Sequence, residues 1–595
     1  MASRKSSYKG LWSGPLFARN LRRFWPLWAA LCVAWFLILP GNILNESSSR
    51  AAMSPEFLRE LLLNFAYPAV FLCGAGGLAS SLCVWQYLCS AKAAQAWHGF
   101  PLKREGLFYT NFASGLAIAL IPVAFAIAAT LGACFLNGPS RTPMDAVVVL
   151  LAVMSASALF GFCLGTFCVQ LTGNLVMAAA LFAVFNGAAV AARSMVFTLA
   201  ESLTWGLSFS GSPGPVVRWL TPLWKLSQET LISYSVIGDG GMAVIGFQGL
   251  WIYGVYSLAA LGLAVLALAL NHFRHTETAG DAIAVLWLRP VFRLAVSLAA
   301  AMGLTLVCLD IYGGLSAAPL AAVVLLLLVG SFAGWFASQM LLNKSFRVFG
   351  KRTFLGWGIL ALALVLCASA LKLDLGGRQA YVPDASQVTG VTAEFSAASG
   401  DWEADPAETV ALHRAILQNR EILERDSGYP SLTLTYTLAD GSTLRRSYSL
   451  DRNSIDRVPG LTVRLRNYMC QPEAALQRVF QGIDPSEIPT GYVNWYAQPE
   501  FYEDGTIVQD QGYLSSAQAR ELAAAVQADL LAGRYQDVGW FFGQGEDVSW
   551  LGDIEFRWPN MDQDLEYSPY FGVSITPDMT ETLACLERLG FSLPE

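Results

Sequence analysis

The chain has 595 residues, of which 54% are apolar, 12% aromatic and 14% charged, and its formal net charge is −7. The charge divides sharply: residues 376–595 hold 33 acidic and 15 basic side chains, every basic one an arginine, for a net −18, whereas 1–375 carries +11. An apolar, basic stretch followed by an acidic, water-soluble one excludes a wholly soluble protein, and no nucleic-acid partner is expected.

Nine apolar stretches fill residues 1–375: Phe24–Leu44, Phe65–Leu88, Asn111–Leu136, Ala146–Leu171, Leu175–Leu199, Leu250–Leu270, Leu294–Tyr312, Ala317–Leu342 and Phe354–Leu371. A helix needs about 20 apolar residues to cross roughly 30 Å of hydrocarbon, and each stretch is close to that length or longer. Charges keep to the ends, except Arg193 and Asp310, which lie near outer ends where snorkelling is cheap. The predicted fold is therefore a polytopic α-helical membrane protein of about nine spans with a C-terminal extracytoplasmic α+β domain. Its expected divisions are 1–272, 273–375 with three further spans, and 376–595.

The loops orient it. Sixteen basic residues precede span one or lie between spans two and three, six and seven, or eight and nine; the opposite loops hold Arg50, Arg59, Arg141, Arg218 and Lys225. By the positive-inside rule the N-terminus is cytoplasmic, and nine crossings put the last domain outside. Span one reads as an uncleaved signal anchor, because its apolar run exceeds a signal peptide's usual core of roughly 7–15 residues.

Taken in order, Tyr8–Phe24 sets Leu16, Phe17 and Leu21 against Arg19, Arg22 and Arg23, as suits either an interfacial helix or a basic anchor that sets topology. Between spans two and three, Ala91–Trp97 favours a helix that Gly99 and Pro101 break. A short cytoplasmic helix ending in an aromatic and basic knuckle suits a docking element for a soluble partner, but composition alone favours a hairpin connection with retention charges. The connection after span five, Glu201–Gly249, is rich in Gly and Pro yet carries Trp205, Trp219, Trp224 and several Leu, which predicts short broken helices at the interface or partly re-entrant. Gly161–Gly165 and Gly330–Gly334 are GxxxG pairs, read as packing contacts.

In the last 220 residues, helices are expected over Pro406–Glu424 and Ala517–Ala532, the second with a Ser515/Gln518 capping box. Strands are expected over Ser431–Leu438, Ser442–Ser449 and Phe571–Ile575, the first two joined by a hairpin turn at Ala439-Asp440-Gly441. A final helix should start at a Thr576 cap with Pro577 behind it and stop at Gly590. The segment is expected to fold alone. Of eleven cysteines only Cys470 and Cys585 fall here, an even pair that suits a disulfide or two buried thiols equally.

Enzyme motifs are absent. No Gly-x-x-x-x-Gly-Lys-Ser/Thr loop, His-Glu-x-x-His or Gly-x-Ser-x-Gly occurs, and the four histidines are scattered. The acidic clusters Glu503-Asp504, Glu546-Asp547 and Asp562-x-Asp564-x-Glu566 lack the rest of a calcium loop and read as solvated turns. No catalytic residue, metal site or resident cofactor is expected.

The layout over about residues 8–290 resembles ABC-2-type transporter permeases, chiefly in its topology. The motifs are His98-Gly99-Phe100-Pro101-Leu102-Lys103-Arg104-Glu105 between spans two and three, and His275–Asp281 (HTETAGD) followed by Arg289-Pro290. The resemblance implies that the first of these docks a separate ABC ATPase subunit, which binds ATP, with Trp97 and Phe100 as apolar anchors and Lys103 and Arg104 as rim charges. It also implies a second permease chain, identical or not, in the plasma membrane. Spans seven to nine and the last domain depart from the six-span pattern. The expected function is the permease subunit of an exporter. The alternatives are a signalling or mechanotransmission permease, or a membrane-anchored extracytoplasmic binding protein.

Overall fold

The computed structural model describes residues 12–49, 55–98, 102–136, 138, 142–209, 213–228, 232–237, 241–274, 279–311, 319–398, 400–424, 430–495, 500–501, 507–508, 511–535, 538–542, 551–557 and 570–591. Among them the molecule is mostly helical, and nine helices are long and apolar enough to cross a membrane: Trp25–Asn45, Phe57–Cys89, Arg104–Leu136, Met144–Leu171, Leu175–Leu203, Leu250–Phe273, Leu288–Ile311, Leu320–Asn343 and Lys351–Lys372. These are spans one to nine of a multi-pass membrane protein. Most outrun the apolar stretch that announces them at one end or the other.

Span four is the most buried and span nine the most exposed. Spans two and four cross closely at glycines: a Cβ on Gly161 would collide with the carbonyl of Gly74, and one on Gly77 with the backbone of Ala158–Phe162. Gly330 and Gly334 of span eight likewise sit against the backbone of span seven at Val296–Ala301. Backbones approach at these points because no side chain stands between them. One apolar core joins spans one to four and six to the start of span five, and a second joins spans seven, eight and nine to its end. Ahead of span one, the helix Gly14–Arg23 buries Leu16 and Asn20, and the Asn20 amide donates to Asn111 Oδ1 and Ser114 Oγ of span three at 2.8 Å each. Arg19, Arg22 and Arg23 stay exposed.

After span five come the short helices Pro215–Trp219 and Pro222–Gln228. Leu223 packs on Gly74 near the middle of span two, and two tyrosines of span six hold the pair, Tyr256 donating to the Trp219 carbonyl at 2.8 Å and Tyr253 to that of Leu226 at 3.2 Å. The expected broken helices are thus present. An antiparallel hairpin, β1 (Ile232–Ile237) and β2 (Gly241–Phe247), follows them and was not expected.

The C-terminal region has two antiparallel four-stranded sheets. The first contains β3 (Val388–Phe395), β4 (Asp401–Glu403), β5 (Ser431–Leu438) and β6 (Thr443–Ser449) in the order β4-β3-β5-β6. The second contains β7 (Gly491–Trp495), β10 (Gln511–Leu514), β11 (Gly552–Arg557) and β12 (Tyr570–Ile575) in the order β10-β7-β11-β12, with β8 (Glu500–Phe501) and β9 (Ile507–Val508) paired apart. Each sheet has its own core. The first is backed by the helix Pro406–Gln418, which breaks at Asn419 before Arg420–Leu423. The second is backed by Ser516–Leu531, where Gln518 accepts from the Ser515 amide as the capping box requires.

Two expectations need correction. The last helix starts at Thr580, not at a Thr576 cap, because a residue distant in sequence caps it. The buried carboxylate of Asp529 accepts from the amide of Thr582 at 2.7 Å and of Glu581 at 3.2 Å, satisfying orphan donors of that helix. Nor is the first core made from residues 376–595 alone, since Trp205, beyond the end of span five, is part of it.

Candidate functional site

The spans alternate in direction. Leu88, Arg104, Gln170, Gly173, Arg274, Asp281 and Lys344 share one face, here called the near face, through the contacts described below. Arg59 and Asp145, paired at 2.6 Å, and the starts of the two tyrosine-clamped helices belong to the opposite, far face, with the C-terminal region.

On the near face span two ends in the tight turn Gln86–Cys89, and the chain forms the helix Ala91–His98. Trp97 is half-buried and stacks on Tyr87, with ring centroids 4.7 Å apart. Leu102 packs on the same core, while Lys92, Lys103 and Glu105 are exposed. Phe100 and Pro101 lie outside the described residues, and His98 is described by its backbone only.

Arg104 is half-buried. Its guanidinium donates to the carbonyls of His272 and Arg274, at the end of span six. Arg274 donates in turn to Val169 O at 2.7 Å, Gln170 O at 3.4 Å and Leu88 O at 3.2 Å. The last carbonyls of a helix have no partner within it and carry the negative end of its dipole. Two arginines therefore close the ends of spans two, four and six together. Burial pushes the Arg274 guanidinium below the ordinary arginine value.

The contact continues towards the three extra spans. The turn between spans four and five exchanges backbone bonds with the loop after span six, Gly173 N donating to Asp281 O at 2.8 Å and Gly280 N to Gly173 O at 2.7 Å. The Asp281 carboxylate pairs with Lys344, which ends span eight, at 2.6 Å and with Arg289 at 3.2 Å. Sequence reading counted Arg274 and Lys344 only as topology charges. A cation directly after the last apolar turn of a helix was the available signal, but its acceptors lie on other helices.

On the near face charge-assisted hydrogen bonds join the start of span three to the ends of spans two, four and six, and the Asp281–Lys344 pair reaches the end of span eight, while the helix Ala91–His98 is held by the Trp97–Tyr87 stack. Among the described residues no group of three or more His, Cys, Asp or Glu is placed to hold a metal. Cys470 borders the first C-terminal core and Cys585 lies in the second, and no disulfide joins them. The Glu503-Asp504, Glu546-Asp547 and Asp562–Glu566 clusters lie outside the described residues. No family model, no curated protein and no solved structure matches the chain.

Proposed function

We propose that the chain is the membrane-spanning permease subunit of an ATP-binding-cassette exporter, driven by a separate ATPase subunit that binds the ATP. The observation that supports this is the Arg104–Arg274 node. The helix Ala91–His98 presents Lys92, and the start of span three Lys103, to solvent, while Arg104 is bonded to the ends of spans that a docked subunit would have to move. In this reading the near face is cytoplasmic, in line with its excess of basic loop residues, and the C-terminal domain is extracytoplasmic. A second permease chain completes the transporter in the plasma membrane.

A signalling or mechanotransmission permease is the second reading, favoured by the insertion of Trp205 into the core of the C-terminal domain.

Purification of the chain from its native membrane tests the proposal. An ATP-hydrolysing subunit should accompany it, and the chain stripped of partners should neither bind nor hydrolyse ATP. Saturable nucleotide binding by the stripped chain, or the absence of any ATPase among its partners, contradicts the proposal.

A further inference from the structure

Spans five and nine both end at the C-terminal domain, and the same strand holds both exits. From the span-five side, Trp205 enters the first core and meets Tyr448 of β6 edge-on, with centroids 4.9 Å apart. Gly206 follows at φ +75° against the Tyr448 ring, where any Cβ would collide with the phenol. The amide of Ser447 donates to the Gly206 carbonyl at 3.2 Å, and Leu207 forms a β-bridge with Arg446. The segment after span five thus meets the β6 edge of the first sheet through a single β-bridge.

From the span-nine side, Arg446, only 1% exposed, donates through Nη2 to the carbonyls of Arg378 at 2.7 Å and Tyr381 at 2.9 Å. Gln379, also 1% exposed, ties the exits to each other: its amide nitrogen donates to Leu371 O at the end of span nine, and its Oε1 accepts from Trp205 N at 3.4 Å and from Arg420 at 2.8 Å. Arg420 lies over the Trp205 ring at 5.5 Å and pairs with Glu424, which reaches Lys372 of span nine at 3.5 Å. Arg446 Nη2 and both polar atoms of Gln379 have partners across the joint, so loosening it would strand those buried groups at a cost.

We infer that this joint makes spans five and nine and the first C-terminal sheet one mechanical unit, so that the domain is the output element of the molecule, moved by span five. The chain is tethered to its domain covalently only through span nine. The Trp205 plug is what adds span five, whose opposite end meets Asp281 through Gly173 on the near face. A displacement of span five on the near face therefore reaches the domain without a partner on the far side. The inference does not depend on which protein drives the displacement, so it stands or falls apart from the ATPase reading.

The test uses the full chain in lipid nanodiscs, with spin labels introduced as unnatural amino acids at two exposed positions, Val176 at the near end of span five and Val463 on the domain. The wild-type chain should give a single narrow distance distribution. Trp205→Ala should broaden it at least twofold, Gln379→Ala should broaden it as well, and Trp205→Phe should restore it. A control pair at Thr437 and Val463, both exposed on the first half of the domain, should stay narrow in every variant, which separates loss of the joint from loss of the fold. A broad wild-type distribution, or one that neither Trp205→Ala nor Gln379→Ala changes, overturns the inference.

Discussion

Trp205 and Tyr448 meet edge-to-face, with ring centroids 4.9 Å apart, and through this contact a residue that follows a membrane span completes the core of a domain that begins beyond residue 376. An aromatic pair in this geometry contributes about 0.5–1.5 kcal/mol beyond its buried area. The rest of what Trp205 contributes is the space it fills in the first C-terminal core.

A fragment of residues 376–595 should therefore be soluble but weakened. Removal of a buried Trp costs roughly 3–5 kcal/mol. Hydrogen exchange at the Leu432–Tyr436 amides should be faster in the fragment than in the full chain, with β11 and β12, in the other core, unaffected. Equal protection of both sheets in fragment and full chain would show that Trp205 adds nothing.

His413 makes the first core acid-sensitive. It is fully buried between the hydroxyls of Tyr436 at 3.0 Å and Tyr448 at 2.7 Å, with Arg446 and Arg414 nearby. Burial first, and these two cations next, push its pKa down to about 3 from 6.5. The unfolded chain thus takes up the proton first as pH falls. The stability that neutral His413 confers is complete above about pH 6.5 and is lost progressively below it, by roughly 1.4 kcal/mol per pH unit, until the folded group titrates. Chemical unfolding of the domain in the full chain should lose about 2 kcal/mol between pH 6.5 and 5. His413→Gln should flatten that slope, and an unchanged slope in the variant would assign the acid sensitivity to other groups.

Span packing predicts a contrast between two glycines. Gly161→Ala drives a methyl group into the backbone of span two, and overpacking of this kind costs about 1–3 kcal/mol or more. Gly132→Ala, on an exposed face of span three with nothing within 4 Å, should be neutral or stabilising by up to about 1 kcal/mol. Thermal unfolding in detergent checks both, and equal midpoints would contradict the close crossing.

The same two kinds of residue mark how far the sequence could be read. Gly161 and Gly330 announced close packing because membrane helices have few other ways to approach, and β5 and β6 announced themselves by alternation around Ala439-Asp440-Gly441. Trp205 and Asp529 could not be read. A tryptophan just past a span has the composition of a headgroup anchor, and an aspartate inside a helix that of a solvated face. Only packing across the chain makes one a core residue and the other a helix cap. The partners of Arg104 were hidden for a related reason: its acceptors lie far along the chain, at the end of span six.

Orientation is testable in intact cells. A cysteine in place of exposed Ser515 should react with a membrane-impermeant maleimide without lysis, placing the C-terminal domain outside. Reaction only after lysis would invert the orientation and, with it, the assignment of the near face to the cytoplasm.

Lys103 offers the most direct measurement of the central claim. It is exposed beside Arg104, whose hydrogen bonds lead to the ends of spans two, four and six. A photo-crosslinking amino acid placed at Lys103 in native membranes should capture one protein that carries a nucleotide-binding cassette and hydrolyses ATP. Crosslinks to lipid alone, or to proteins without such a cassette, would contradict the account.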